Sequence, residues 1–104
     1  MKDAAMHRHI VLFNLKDETS PEQREQVMAE IAKLGSLPTV KHFVSGKNIL
    51  PANPEKIPYE YMMMGDFADN DGRQGYEKHD THTHIIKQVW LPVAKNYAVF
   101  DINF

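Results

Sequence analysis

The chain has 104 residues, of which 42% are hydrophobic and 25% are charged, and its formal net charge is -2 at pH 7. This length allows one hydrophobic core, and the composition is that of a globular protein rather than a disordered or fibrous one. Acidic and basic residues are interspersed, so there is no basic stripe that would follow a phosphate backbone. We therefore expect a single domain over residues 1–104 and no nucleic acid partner.

Two further features concern the redox chemistry and the cellular compartment. The sequence contains no cysteine, which excludes disulfides and thiolate metal sites. The apolar run at residues 10–13 is too short for a secretory signal, and no segment approaches the roughly 18 apolar residues that span a bilayer. We therefore expect a cytoplasmic protein with no membrane partner.

The first part of the chain predicts a strand and a helix. Residues 7–15 are rich in β-branched and apolar side chains and predict a strand with both faces at least partly covered. Ser20 and Gln23 have the spacing of a capping box, and apolar residues then recur at helical intervals. Residues 21–34 therefore predict an amphipathic helix, which Gly35 is placed to end in the left-handed conformation.

The middle of the chain predicts two more strands and a second helix. In residues 40–47, positions 40, 42 and 44 alternate with 41, 43 and 45 as the two faces of a strand would, which predicts a strand. The proline-rich residues 48–58 predict a loop. Residues 59–67 predict the third strand. Asp69 is a candidate N-cap, so that residues 70–79 predict a short helix despite their two glycines.

The last part of the chain completes a recognisable order of elements. Apolar residues at 85–93 predict one or two helical turns that end near Pro92, and the β-rich residues 97–104 predict the final strand. The order β-α-β-β-α-β is that of a ferredoxin-like α+β fold, with a four-stranded antiparallel sheet and helices on one face. The other face, rich in Val, Phe and Tyr, would stay open. We therefore expect a homodimer with the two sheets packed face to face.

Residues 75–84, GYEKHDTHTH, place three histidines within six positions. Tyr76, His79 and His82 are three residues apart, so they line roughly one face if the helix continues. A neutral imidazole can take a proton from the carbon beside a carbonyl group, while a tyrosine hydroxyl donates to the enolate oxygen. The spacing therefore indicates a candidate site for proton abstraction.

Residues elsewhere in the chain could complete such a site. His9 on the first strand and Asp101 on the last strand could lie near the same cleft, and either could orient His82. We expect His42 and His79 to line the ligand cleft as well, although His42 could instead face the dimer interface.

Two other interpretations of the histidines stay open. In the first, His79, His82 and His84 bind a metal ion, but His84 would point elsewhere unless the helix has ended. A zinc site needs three or four converging ligands, so we expect no metal. In the second, the residues are structural: Tyr76 packs in the core, His79 bonds the backbone near a helix end, and His82 fixes the following turn.

Five short motifs occur in an order and spacing that together are fairly specific. They are residues 9–17 (HIVLFNLKD), 20–23 (SPEQ), 46–48 (GKN), the Tyr76-x-x-His79-x-x-His82 segment and residues 99–101 (VFD). This set resembles the stress-responsive dimeric α+β barrel family, known as Dabb. The resemblance implies a homodimer of ferredoxin-like subunits whose sheets form a shared barrel, with a cleft in each subunit.

The resemblance also implies two classes of function. An enzymatic relative, a polyketide cyclase, uses a histidine base and a tyrosine partner without metal or organic cofactor, and by motif position these are His82 and Tyr76. The cleft would then act on a small carbonyl or aromatic compound as a cyclase, lyase or isomerase. The alternative is a noncatalytic stress-response or ligand-binding dimer with structural histidines. A deep apolar cleft that reaches Tyr76 and His82 would favour the enzyme, and a filled one the noncatalytic dimer.

Overall fold

The protein forms one four-stranded antiparallel sheet with its helices on one face. The computed structural model describes residues 6–104. The strands and helices are β1 (His7–Leu15), α1 (Pro21–Ala32), β2 (His42–Lys47), β3 (Tyr61–Phe67), α2 (Asn70–Lys78), α3 (Asp80–His84) and β4 (Ala94–Asn103). A 3-10 turn at Lys33–Ser36 follows α1, and a π-helical turn at Ile85–Trp90 follows α3. The strand order β2-β3-β1-β4 confirms the predicted ferredoxin-like fold.

The sheet has a covered face and an open face. Alternation along β1 turns Val11, Phe13 and Leu15 toward the helices, where they are buried. The core on this face also contains Val27 and Ile31 of α1. The expectation of an open face rich in Val, Phe and Tyr holds only in part, because Val11, Phe13 and Tyr61 pack beneath the helices while Val44 and Phe100 lie on the open face.

The open face carries a row of apolar side chains that crosses all four strands. The strand pairing aligns Val44 with Met64, Met64 with Ile10, and Ile10 with Phe100. Val44 and Phe100, on the two edge strands, are exposed. Aliphatic and methionine side chains thus make up most of this row.

The first helix begins as predicted and ends differently. Ser20 Oγ accepts from the backbone N–H of Gln23 at 3.1 Å, and the Gln23 side chain accepts from the Ser20 N–H at 3.0 Å, which confirms the capping box. The α-helix ends at Ala32, and Gly35 lies in the 3-10 turn without a left-handed conformation. A Cβ atom on Gly35 would come within 3.1 Å of the Phe43 Cβ, so close packing explains this glycine.

The second helical region is broken at His79. Asp69 caps α2 by accepting from the Gly72 N–H at 2.8 Å, as predicted. The backbone of His79 is extended, with ψ of 138°, and its Nδ1 atom accepts from the Thr81 N–H at 3.1 Å to start α3. Tyr76 and the residues after His79 therefore lie on different helices, so their common orientation cannot come from one continuous helix.

No helix in residues 6–104 has the length and apolar character needed to cross a membrane.

The remaining boundaries of strands and helices differ modestly from the sequence-based ones. Strands β2 and β3 begin later than predicted, and β4 begins earlier, at Ala94. The helical turns before Pro92 are π-helical, with the Leu91 N–H bonded to the Ile86 carbonyl at 2.8 Å.

Candidate functional site

A cleft of about 220 Å³ lies between the covered face of the sheet and the helices after β3. Most of the side chains in its wall are apolar: Val11, Phe43, Met63, Ile86, Trp90 and Val99. Polar groups enter this wall from β1 and from α2 and α3. A largely apolar pocket with a few converging polar groups is the usual form of a small-molecule site.

Tyr76 and His82 meet in this cleft although they belong to different helices. Their ring centroids are 4.6 Å apart in an edge-to-face arrangement. The Tyr76 ring also packs on Phe67, with centroids 4.9 Å apart, and the residue is only 4% exposed. Its hydroxyl has no hydrogen-bond partner within residues 6–104. The structure therefore fixes the tyrosine ring and leaves its O–H able to donate to a ligand.

The surroundings set the protonation states of this pair. Burial lowers the pKa of His82 below its ordinary value, although the charge and backbone of Glu77 act in the opposite direction. Burial also raises the pKa of Tyr76 well above its ordinary value, and the Glu77 charge adds to this rise. At neutral pH the imidazole is therefore neutral and able to accept a proton, and the phenol keeps its proton.

The carboxylate of Asp101 contacts His9, a third polar side chain of the cleft. His9 lies opposite Asp101 in the β1/β4 pairing, and its Nδ1 atom is 2.8 Å from Asp101 Oδ1. His7 Nε2 lies 2.8 Å from the same oxygen. Burial acts to raise the pKa of Asp101, but the hydrogen bonds with His7 and His9 outweigh it and lower the pKa. The Nδ1 side of the His9 ring thus faces this ionised carboxylate, and its Nε2 atom lies 3.8 Å from Oε2 of Glu77 at the cleft.

Two residues of this region were not identified from the sequence. His7 was read only as a strand residue, and it shares Asp101 with His9. Glu77 lines the cleft, with Oε2 3.8 Å from His9 Nε2 and Oε1 2.6 Å from Nη1 of Arg73. The i,i+4 spacing of Arg73 and Glu77, next to Tyr76, was a signal that could have drawn attention to Glu77.

Two predicted cleft residues lie elsewhere. His42 is on the open face of the sheet, where its Nδ1 atom is 3.6 Å from Asp66 Oδ2. Asp66 also makes two hydrogen bonds with the Arg8 guanidinium, at 2.7 and 2.9 Å. His79 caps α3 and is not among the residues lining the cleft. The structure thus brings together Tyr76, His82 and the His9–Asp101 pair, and it separates the other two histidines from them.

The three histidines of the GYEKHDTHTH segment point to different surroundings. His82 lines the cleft, His79 caps a helix, and His84 is exposed. Over the described residues, 6–104, no group of three or more His, Asp or Glu side chains is arranged to hold a metal ion. The break in the helix at His79 is the reason for this divergence.

The sequence matches the family model described as the Stress responsive A/B Barrel Domain, Dabb, over residues 8–104. The chain belongs to the Dabb family. A comparison with curated protein sequences finds no significant match. The family assignment confirms the resemblance seen in the sequence motifs.

Solved structures show the same fold. A Dabb protein from Mesorhizobium loti is 26% identical, with a TM-score of 0.82 over 94% of this chain and 95% of that chain. A dimeric ferredoxin-like protein of unknown function from Thermobifida fusca is 24% identical, with a TM-score of 0.84 over 100% and 95% of the two chains. A hydroxynitrile lyase from Passiflora edulis is 18% identical, with a TM-score of 0.85 over 97% and 94%.

Proposed function

We propose that this Dabb protein binds a small carbonyl compound in the cleft and removes a proton from the carbon beside the carbonyl without a cofactor. The observation that carries the proposal is the edge contact between Tyr76 and neutral His82 inside an apolar cleft. Such a cleft is the arrangement that favours an enzyme over a filled, purely structural core. The hydroxynitrile lyase of the same fold is compatible with this chemistry, although its likeness supports the fold alone.

Each side chain has a definite role in the proposed step. The unprotonated nitrogen of His82 takes the proton, and the electrons of the broken C–H bond move into the enolate. The Tyr76 hydroxyl donates a hydrogen bond to the developing enolate oxygen. His82 then returns the proton to carbon or to a leaving group, which restores the neutral imidazole.

The His9–Asp101 pair acts as the positioning part of the site. The Asp101 carboxylate contacts the His9 imidazole at Nδ1. A positive charge on His9 acts to lower the pKa of His82, although by less than burial does. Asp101 itself contacts His7 and His9 rather than His82. We therefore assign Asp101 to the orientation of His9, and His9 to the electrostatics of His82.

The proposal includes a homodimer formed through the open face of the sheet. The two ends of the apolar row, Val44 and Phe100, would remain exposed to water in a single subunit, which is unfavourable for an apolar surface. The Thermobifida fusca protein and one from Bacteroides fragilis are both described as dimeric. The cleft lies on the opposite, covered face, so this association would leave it within one subunit.

The direct test is deuterium exchange beside the carbonyl group of simple ketones. The protein is incubated in D2O with acetophenone and with a panel of β-keto esters, and loss of the α-proton signal is followed by NMR. We expect His82→Ala to lower the rate by about 10²–10⁴-fold, the range for a positioned general base. Tyr76→Phe removes only the hydroxyl and should cost about 10²–10³-fold.

His84→Ala is the matched control, because His84 is an exposed histidine on the same short helix. It should exchange at the rate of the unaltered protein. If no compound of the panel exchanges faster than in buffer, or if exchange survives both cleft substitutions, the proposed mechanism is wrong.

The noncatalytic interpretation keeps two observations in its favour. His79 bonds the backbone at a helix start and Tyr76 is buried, as a structural reading of the segment expects. That interpretation expects His82 to fix the following turn, whereas the His82 side chain lines the cleft. A dimer that binds aromatic ligands without exchange of α-protons would support this second function.

A further inference from the structure

The charged groups around the cleft are unbalanced. Among its lining residues in the described part of the chain, Glu77 is acidic and none is lysine or arginine. We propose that Glu77 makes the cleft selective for uncharged, single-ring carbonyl compounds and against their carboxylate analogues. This inference rests on the proposed function, because it specifies the ligand class of the same cleft.

The volume and lining determine the size of the ligand. An apolar cavity of about 150 Å³ is large enough to bind benzene. The cleft, at about 220 Å³, therefore has room for one aromatic ring with a short substituent. Phe43, Trp90 and Val99 supply apolar surface for the ring, while Tyr76 and His82 supply the polar contacts for a carbonyl group.

The position of Glu77 determines which ligand charge the cleft can accept. Its Oε1 atom is engaged by Arg73 at 2.6 Å, while Oε2 is directed toward His9, 3.8 Å from Nε2. The charge already acts on its neighbours, since it raises the pKa of Tyr76 and opposes the lowering at His82. A ligand carboxylate would lose its hydration shell in this apolar wall and gain a like charge instead of a cation.

The Arg73 guanidinium does not cancel this effect. It also bonds the Asn70 side chain through Nε and Nη2, and it is not among the cleft-lining residues. A carboxylate in the cleft would therefore meet Glu77 before it could reach Arg73. Removal of Glu77 alone would leave Arg73 without its ionic partner, so a test must separate these two causes.

The test measures the ratio of two dissociation constants at about pH 8, where benzoate is ionised. Acetophenone and benzoate have the same number of non-hydrogen atoms, and one is neutral. Trp90 is the single tryptophan of the chain and lines the cleft, so its indole N–H resonance reports binding. We expect benzoate to bind at least about tenfold more weakly than acetophenone.

Substitutions of Glu77 identify the cause of this ratio. Glu77→Gln should reduce the benzoate-to-acetophenone ratio about tenfold, and Glu77→Asp, which keeps the charge, should preserve most of the selectivity. The Arg73→Gln, Glu77→Gln double variant should show the same reduction as Glu77→Gln alone. Glu18→Gln removes an equal charge from an exposed position outside the cleft and should leave the ratio unchanged.

Several results would overturn the inference. The inference is wrong if acetophenone does not shift the Trp90 resonance or if the two ligands bind with equal affinity. It is also wrong if the benzoate-to-acetophenone ratio is unchanged in Glu77→Gln, or if the double variant does not show the reduced ratio. Selective binding without deuterium exchange would instead support this inference and contradict the proposed proton abstraction. The two hypotheses therefore fail in different measurements.

Discussion

For single residues, the site depends on the half-buried imidazole of His82, whose pKa is shifted in opposite directions by burial and by Glu77. Burial favours the neutral form of His82, and the nearby Glu77 carboxylate favours the charged form. Burial is the larger of the two effects, so the pKa is lowered. This balance keeps a histidine ready to accept a proton near neutral pH, which is the condition that general base catalysis requires.

The pH dependence of His82 follows from the sign of this shift. A lowered pKa means that the imidazole loses its proton below the ordinary value of about 6.5, so exchange should reach half of its plateau at a lower pH than that. Because Glu77 raises the pKa, Glu77→Gln should move the midpoint further down. An NMR titration of the His82 ring protons measures both midpoints independently of activity. A midpoint above about 6.5, or an upward move in the variant, would contradict this account.

At the scale of secondary structure, the break at His79 determines how the site is assembled. The extended backbone at this residue ends α2 and starts α3 within one position. The change of direction lets α3 turn His82 onto the edge of the Tyr76 ring. His79 thus shapes the site through the backbone and its capping hydrogen bond.

Substitutions of His79 test this capping role. His79→Ala removes the acceptor for the Thr81 N–H and should lower the free energy of unfolding by about 1 kcal/mol. His79→Asn places an oxygen where Nδ1 now lies and should lose less than half of that amount. Urea unfolding followed by circular dichroism measures the difference. Equal losses in the two variants would show that capping is not the contribution of this side chain.

At the scale of the whole molecule, the two faces of the sheet have separate tasks. The covered face joins the helices and holds the cleft, while the open face presents apolar side chains next to the Arg8–Asp66–His42 cluster. The Arg8 guanidinium hydrogen bonds lower the pKa of Asp66 and outweigh the effect of burial, so this carboxylate stays ionised. A dimer formed through this face would bury the apolar row beside a charged cluster.

A substitution of Phe100 tests the proposed dimer. Phe100 is 61% exposed and lies opposite Ile10 on the open face, so Phe100→Glu should leave the subunit folded. Phe100→Glu should raise the dissociation constant of the dimer by on the order of 30-fold or more, because a two-fold symmetric interface contains the substituted residue of both subunits. Asn103→Glu, on the covered face of the same strand, is the control. Sedimentation velocity at micromolar concentration would contradict the proposal if both variants were monomeric or both remained dimeric.

The order of the elements and much of their local chemistry could be predicted from the amino-acid sequence. Alternating and helical periodicities, the Ser20–Gln23 capping box and the Asp69 cap depend on residues close together in the chain, so they could be read directly. The family motifs indicated the fold for the same reason, because each motif is a short continuous stretch of sequence. The Tyr76 and His82 pair was also visible as a short-range spacing, although the continuous helix expected for it does not form.

Long-range packing, by contrast, sets which face of the sheet the helices cover and which polar groups meet in the cleft. Alternation separates the faces of a strand but cannot say which one is covered, and this choice put His42 on the open face, away from His82. The contact of His9 with Asp101 depends on the register between the first and last strands. Glu77 joins the cleft because α2 packs across the sheet, and this long-range packing is not encoded in any local pattern.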